Sequence, residues 1–251
     1  MRKAIRMHIF QQMPNYRKPS SFLVKESFPL PPYSTIIGMI HAACGFTEYH
    51  PLKISIQGTN ASELSDYQTL YTFGIAYDPE RHQMKVPNGE GKFDGVTRGP
   101  KSVMLLTDVE MYIHIFPERD EDFDVILNGL RDPAEYISIG RREDIARIDE
   151  VTEVMLEKTD IDDDESITSV YSAYLPVDYI KDTLNNKVKE ICGTVYNLPK
   201  KFEVDVKKGQ RKWTEIVKAR HLPSEKEILD SVMENDEVYF DKELNLPVFF
   251  A

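Results

Sequence analysis

Hydrophobic and polar residues follow two regular periods along the first 140 residues, and these periods predict the elements of one domain. The segment AIRMHIF alternates Ile5, Met7 and Ile9 with polar residues, as a half-buried strand does. LKISIQG repeats this alternation and predicts a second strand. YQTLYTFGIAY, residues 67–77, is rich in aromatic and β-branched residues, which favour strands.

Two segments have the period of an α-helix. From Ser34, apolar residues recur every three or four positions, which predicts a helix over about 35–44 with Ser34 as its N-cap. Gly45 is a typical residue to end it. DEDFDVILNGLRDP predicts a second helix that starts with an acidic turn and ends before Pro133. EYISIG, residues 135–140, then predicts a short strand.

Residues 78–101 interrupt the pattern with four glycines and three prolines, which indicates a projecting hairpin inserted between two strands. The order strand, helix, strand, strand with insertion, helix, strand is the ferredoxin-like arrangement. We therefore predict an α+β, ferredoxin-like domain over residues 1–150. Short strands and turns beyond it predict a small β-rich carboxy-terminal lobe over 151–251, in which residues 159–166 form an acidic surface segment.

Composition places the chain among intracellular globular proteins. Of the 251 residues 41% are hydrophobic, which allows a proper core, and two cysteines are too few for a disulfide framework. The longest apolar run is much shorter than the roughly 20 residues that cross a bilayer. The amino terminus carries charges within its apolar pattern, unlike a secretory signal. We expect a cytoplasmic protein without a membrane partner.

The distribution of charge points to a polyanion more than the net charge does. The chain carries a net charge of −11, but residues 1–101 sum to +4 and residues 102–251 to −15. The first 24 residues contain five basic residues and no acidic one. A basic face on an acidic body suits a subunit that holds a polyanion at one place, although chance clustering of solvated charges is an alternative.

The basic lead-in to the first helix is a candidate phosphate site. Arg17 and Lys18 precede a helix whose first turn carries no acidic residue. Free backbone N–H groups at the start of a helix, here at Ser34 and Thr35, can bind phosphate. A plain serine cap is the simpler interpretation of the same residues.

Two further groups of basic residues could contact nucleic acid. Arg141 and Arg142 follow a predicted strand and could clamp phosphates, or could pair with the two acidic residues that come next. Arg81, Arg98 and Lys101 lie in the inserted hairpin, which could wrap RNA, dock a protein or be a solvated loop.

The sequence offers little for metal or nucleotide chemistry. His41 and Cys44 share a helix face, but no second pair has the spacing of metal ligands. The chain has no Walker motif, no G-x-S-x-G and no G-x-G-x-x-G. We expect no metal and no cofactor.

Several segments of the first 145 residues together resemble a known family. NYRKPSSF, FPLPPYSTIIGMIHAACGF, SIQG and YISIGRRED are similar to motifs of the fifth CRISPR-associated protein family, a RAMP family, in the form found in subtype I-B. The segment in which prolines, a tyrosine and a serine lead into the helix is the most specific of these. The second half of the chain is similar in character only.

The resemblance implies a ferredoxin-like, RRM-like domain with a thumb hairpin at 78–101 and a smaller carboxy-terminal lobe. It implies a non-catalytic subunit that binds the 5′ handle of the CRISPR RNA in a Cascade surveillance complex of antiviral defence. The implied protein partners are the Cascade backbone subunit and the Cascade large subunit. Basic groups on phosphates and aromatic rings on splayed bases typically hold such RNA. The candidate RNA-binding residues are Tyr16, Arg17, Lys18, Tyr33, Ser34, Thr35, Arg81, Arg98, Lys101, Arg141 and Arg142.

Two other functions remain open. A related subtype uses its version of this subunit as a metal-independent endoribonuclease with tyrosine, lysine and histidine side chains. The candidates for those roles are Tyr33 or Tyr77, Lys85, and His82 or His221, and no adjacent lysine–histidine pair is present. A ferredoxin-like protein with protein partners alone is the third possibility.

Overall fold

A computed structural model describes residues 1–21, 24–160, 166–180, 193–205, 209–229 and 237–251 of the chain. These residues form mostly β-sheet, with two α-helices and one short 3₁₀-helix. The helices are α1 (Tyr33–Ala43), α2 (Asp122–Arg131) and the 3₁₀-helix Val177–Tyr179. Within the described ranges, no helix combines the length and apolar content needed to cross a membrane.

Fifteen strands are described, and most belong to one large sheet. The strands are β1 (Arg2–Gln11), β2 (Val24–Lys25), β3 (Leu52–Thr59), β4 (Ser62–Ala76), β5 (Met84–Pro87), β6 (Phe93–Thr107), β7 (Val109–Pro117), β8 (Arg147–Asp160), β9 (Ser166–Ser169), β10 (Ser172–Pro176), β11 (Val195–Asp205), β12 (Gln210–Leu222), β13 (Lys226–Leu229), β14 (Glu237–Asp241) and β15 (Leu246–Val248). The large sheet has the order β11-β12-β10-β3-β7-β1-β8-β14-β15. Strands β2, β6 and β4 form a smaller sheet, with β5 paired to β6.

The centre of the large sheet is formed by β3, β7, β1 and β8, all antiparallel to their neighbours. Its apolar side chains pack with those of both helices in one core, in which Ile5, Ile54, Ile113, Ile40 and Ile126 are fully buried. The alternation in β1 and β3 and the helical period in α1 and α2 are thus confirmed as predictors of these elements. Burying one face of each is what fixes the helices on the sheet.

The start of α1 differs from the prediction and its end agrees with it. The N-cap is Pro32, with no side-chain cap, so Ser34 is the second residue of the helix and not its cap. Proline has no N–H to leave unsatisfied there, and its φ of −60° already suits a helix start. Gly45 ends the helix with a φ of 66°, and the N–H of Phe46 donates to the carbonyl of His41 in a Schellman motif.

The strand predicted for EYISIG is wrong. This segment makes only a single bridge, between Ser138 and Ile145, and the next strand of the sheet is β8. The side-chain amide of Gln11 donates to the carbonyls of Ile139 and Asp144, at 3.0 and 2.9 Å. Because a side chain and loop contacts satisfy these backbone groups, the segment forms a tight loop instead of a sheet strand.

The hairpin is longer than its predicted range of 78–101. Strands β4 and β6 have 15 residues each and pair from Ser62 with Thr107 out to Ala76 with Asp94. Most of β4 is exposed on both faces, so its side chains do not show the alternation of a half-buried strand. The range 78–101 therefore covers only the outer part of the hairpin.

The second half of the chain extends the sheet at both edges. Strands β10, β12 and β11 continue it beyond β3, and β14 and β15 continue it beyond β8. Strand β8 runs through residue 150 without interruption, and the division of the chain at that residue stays a prediction. Of the predicted acidic surface segment, residues 161–165 lie outside the described residues.

A buried ion network connects the last strands to the central sheet. Arg6 on β1 donates to Asp241 at 2.8 Å and to Glu243 at 3.0 Å, and His114 on β7 lies 2.9 Å from the same Asp241 carboxylate. Burial alone would raise the pKa of Asp241, but hydrogen bonds from His114 and Arg6 outweigh it and lower the pKa to about 2. Burial lowers the pKa of His114, so the ring is neutral and donates through Nε2.

Candidate nucleic-acid interface

Positive side chains meet at the base of the β4–β6 hairpin. The two-residue strand β2 lies parallel to β6, with Val24 beside Ser102 and Lys25 beside Val103. The side-chain amide of Asn15 fixes this arrangement, because it donates to the carbonyl of Lys25 at 2.9 Å and to that of Met104 at 2.6 Å. Lys25 is therefore held next to the strand that carries Lys101.

We name Arg17, Lys25 and Lys101 the cationic cluster. Burial lowers the pKa of Lys25, and the positive charges of Lys101, Arg17 and Arg141 lower it further. Glu143 opposes this effect only in part, since the net shift is downward. Mutual repulsion of this kind is relieved when an anion binds, so the cluster is suited to a phosphate group.

Arg141 does not act as a free phosphate clamp. Its guanidinium forms two hydrogen bonds with Asp144, of 2.6 Å from Nη2 and 3.0 Å from Nε, and a further ion pair with Glu143 at 3.3 Å. Hydrogen bonding to Asp144 raises the pKa of Arg141. The alternative pairing is thus present for Arg141, and Arg142 is exposed. An RNA contact of either arginine stays a prediction.

The two tyrosines predicted to stack on bases are buried. Tyr16 is 1% exposed and its hydroxyl donates to Gln11 at 2.7 Å, while Tyr33 is fully buried in the core. Tyr33 belongs to the apolar face of α1 together with Ile36 and Ile40, which explains its position. Neither ring has a face available to a base, so both predictions are wrong.

The residues flanking the helix start are less open than the sequence suggested. Pro32 and Tyr33 are buried, and Ser34 and Thr35 are half-buried. The first turn carries no acidic residue, as predicted, but the N–H of Thr35 already donates to the carbonyl of Pro32 at 2.9 Å. A phosphate contact at Ser34 and Thr35 stays a prediction.

Lys18 is partly neutralised. Its ammonium lies 3.4 Å from the carboxylate of Glu26 and 5.6 Å from the centre of the Tyr196 ring. Arg17 is exposed, and Lys25 takes the place in the cluster that the sequence gave to Lys18. Lys25 was missed because its neighbour Lys101 is 76 positions away in the sequence.

One face of the hairpin combines an exposed aromatic ring with an arginine. Tyr67 is 77% exposed, and Arg98 lies directly across from Tyr71 in the β4–β6 register. Tyr67, Arg98 and Met84 line an open groove of about 660 Å³ along this face. Such a groove suits a single strand, whose bases stack on aromatic rings while its phosphates contact arginine.

The outer end of the hairpin brings together three of the dispersed candidates for ribonuclease chemistry. The rings of Tyr77 and His82 lie 6.1 Å apart between centroids, and the ammonium of Lys85 lies 5.7 Å from the Tyr77 ring. The His82 ring packs on Gly95, and its Nδ1 accepts the N–H of Asp78 at 2.9 Å. Arg81 is exposed beside them.

The alternative candidates for that chemistry are unsuited to it. Burial raises the pKa of Tyr33 far above its usual range. His221 is on β12, where burial lowers its pKa to about 4 and keeps the ring neutral. A general base or acid works best when its pKa lies near the operating pH, which neither residue satisfies.

The chain matches a protein-family model and the fold of a solved structure. A family model described as CRISPR-associated protein (Cas_Cas5) matches residues 4–212. A chain of a structure titled "CRISPR RNA-guided surveillance complex" is 20% identical, with a TM-score of 0.53 over 91% of this chain and 92% of that one. A chain of "Crystal structure of a CRISPR protein from Archaeoglobus fulgidus" is 9% identical, with a TM-score of 0.45 over 98% of both. Comparison with curated protein sequences gives no match.

Proposed function

Since the chain belongs to the Cas5 family of CRISPR-associated, RAMP-type proteins, we propose that it binds the 5′ handle of CRISPR RNA as a non-catalytic subunit of a type I Cascade complex. The proposed partners are the handle RNA, the Cascade backbone subunit and the Cascade large subunit, in a complex of subtype I-B. The similarity in fold to a chain of a surveillance complex supports membership of such an assembly.

The cationic cluster is the observation that carries this proposal. Backbone pairing brings the three residues together: Arg17 bridges with Ser27, and Lys25 pairs with β6, the strand that carries Lys101. The charges of Arg17 and Lys101 lower the pKa of Lys25, in addition to the larger effect of its burial. Cations that repel one another contribute little to the stability of the fold, and they attract an anion at this place. An RNA backbone supplies such anions in a row.

The hairpin groove supports the same ligand. Arg98 lies further out on β6, the strand that carries Lys101, and Tyr67 lies on the neighbouring strand β4, opposite Ser102. Both line the groove, so phosphates at the base and bases along the groove could belong to one strand of RNA. Stacking on Tyr67 needs splayed bases, which a single-stranded handle has and a duplex lacks.

We also propose that the central domain is ferredoxin-like. Its four central strands have the order β8-β1-β7-β3, with α1 between β1 and β3 and α2 between β7 and β8 in the sequence. This is the order expected for two βαβ halves whose strands interleave in one antiparallel sheet. The hairpin of β4 and β6 is then the thumb, inserted between the second and third of these strands.

A metal-independent endoribonuclease is the second candidate function. The observation that favours it is the meeting of Tyr77, His82 and Lys85 at the outer end of the hairpin. These side-chain types can activate a ribose hydroxyl, stabilise a charged phosphate and protonate a leaving oxygen. The same residues also fit a hairpin end that contacts RNA without reacting with it.

Shortening the hairpin tests the proposed function. Residues 70–99 would be replaced with a short Gly-Ser linker that joins Thr69 to Pro100, a cross-strand pair. Because most of this segment is exposed, we expect an unchanged melting temperature. Loss of Arg98 and of part of the groove should lower the affinity for handle RNA about tenfold, as measured by fluorescence anisotropy. It should also impair assembly with the backbone subunit.

A second variant, in which only residues 88–92 are replaced with two glycines, is the matched control and should bind RNA like the full protein. Equal binding by both variants would show that the hairpin has no part in RNA recognition. Failure of the full protein to bind handle RNA would overturn the proposed function itself.

A further inference from the structure

Strands β11 and β12 form a second long hairpin, whose outer half we name the arm (residues 202–204 and 210–214). At the inner end Leu198 and Ala219 are fully buried. Every residue of the arm is exposed. The arm therefore extends past the core, and packing of the fold does not explain its side chains.

The arm carries an exposed aromatic pair with an arginine on it. Phe202 and Trp213 lie opposite each other in the β11–β12 register, with ring centroids 5.6 Å apart and an interplanar angle of 82°. The guanidinium of Arg211 lies 4.6 Å from the centre of the Phe202 ring. The two rings are 36% and 38% exposed. A cross-strand pair stabilises a hairpin, but exposed rings beside a cation also form a surface on which bases stack.

The β11–β12 hairpin is positively charged, although it lies in the negatively charged half of the chain. Strands β11 and β12 carry six Lys or Arg and three Asp or Glu, whereas residues 102–251 together sum to −15. Lys212 and Arg211 lie in the arm itself and are exposed. A positive, aromatic surface complements a polyanion with stacking groups better than it complements a protein surface.

The arm is continuous with the proposed RNA site. Lys18 follows Arg17 of the cationic cluster in the sequence, and its ammonium lies over Tyr196 at the inner end of β11. From Tyr196 to Phe202 the strand covers six residues, or about 20 Å. A strand of RNA that passes from the cluster over Lys18 would follow β11 to the arm.

We propose that the arm is a second contact for single-stranded RNA, with bases stacked on Phe202 and Trp213 and a phosphate held by Arg211, which lies on the same face of the hairpin. The inference rests on the proposed function, because it extends the path of the same RNA. The arm belongs to the acidic second half of the chain, whereas most of the thumb belongs to the first half.

The test uses Trp213, which is the only tryptophan of the chain, as a reporter in the unmodified protein. A base that stacks on the indole quenches its fluorescence. The probe is a 12-nucleotide oligouridylate, labelled for anisotropy in a parallel titration. We expect quenching over the same concentration range as the rise in anisotropy. Phe202→Ala should weaken binding about 5- to 150-fold, as loss of one stacked base does, and Ile216→Ala, exposed on the same hairpin, should not.

Each other outcome counts against the arm. A rise in anisotropy without quenching means that RNA binds elsewhere. This result contradicts the proposed role of the arm and is compatible with the proposed function. No rise in anisotropy also overturns the arm, whereas the proposed function fails only if the protein does not bind handle RNA in the same assay. Equal quenching by inorganic polyphosphate, which has no bases, would rule out stacking. Quenching by oligothymidylate or by the backbone subunit, with none by oligouridylate, would assign the arm to DNA or to a protein.

Discussion

Replacing Arg17, Lys25 and Lys101 together with alanine should weaken binding of handle RNA about 100-fold at 0.1 M salt. Each phosphate contact to a single strand contributes about 0.7 to the slope of log K against log salt, so three lost contacts remove about 2 from the slope. The fold should tolerate the change. Burial lowers the pKa of Lys25, and the positive charges of Lys101 and Arg17 lower it further, so the three cations repel one another in the free protein.

The measurement is a series of anisotropy titrations at increasing salt, with the melting temperature recorded for every variant. Alanine at Lys3, Lys53 and Lys242 is the matched control, since it removes the same charge from exposed residues outside the cluster. Lys3 and Lys242 are held in ion pairs with Glu153 and Glu157. An equal loss of affinity in the control would show that net charge, and not the cluster, determines binding.

The largest effect on stability is expected from Asp241→Asn. Asp241 is 1% exposed and is the shared acceptor of Arg6 and His114, so the substitution leaves a buried guanidinium without its closest counter-ion. Removing one partner of a buried ion pair costs about 3–5 kcal/mol. Urea denaturation should show a loss of this size in the free energy of unfolding. The control Glu243→Gln removes an exposed partner of the same arginine and should cost less than about 1 kcal/mol.

The network also sets the response to acid. The folded-state pKa of Asp241, about 2, is below its unfolded value, so its contribution is present above the unfolded pKa and is lost as the pH falls towards 2. The pKa of His114 is lowered too, so the unfolded chain takes up a proton first and stability declines as the pH falls below the ordinary histidine value of about 6.5. Asp241→Asn should flatten the part of this decline that lies below about pH 4. An unchanged acid limb, or a loss below 1 kcal/mol at neutral pH, would contradict the role given to Asp241.

Periodicity predicted the elements that pack on one another and failed where backbone groups are satisfied in another way. Strands β1 and β3 and both helices bury one face each, and this burial is what the pattern records. EYISIG has the composition of a strand. The side-chain amide of Gln11 instead donates to the carbonyl of Ile139, and the N–H of Ile139 donates to the carbonyl of Asp144 within the loop. A side chain about 130 positions away decided its structure, and no local pattern contains that information.

Only part of the candidate site could be predicted, because its residues are brought together by contacts between segments that are distant in the sequence. Arg17 was identified in the basic lead-in to the first helix and Lys101 in the inserted hairpin. Lys25 became a site residue only through the parallel pairing of β2 with β6. Tyr33 carried a signal that could have been used, because it falls at helical spacing from Ile36 and Ile40 and belongs to their apolar face. Proximity to basic residues in the sequence was the weaker indicator.

Incubating the purified protein with its repeat RNA in EDTA tests the central claim, that the chain binds the handle without cutting it. General acid–base catalysis contributes about 10²–10⁴-fold, so a working site at Tyr77, His82 and Lys85 would give cleavage that is easily seen, and His82→Gln would abolish it. The account predicts that the RNA is bound and recovered intact, with the same affinity for the His82→Gln variant. Cleavage at one position in EDTA, lost in that variant, would contradict it and identify the protein as a metal-independent endoribonuclease.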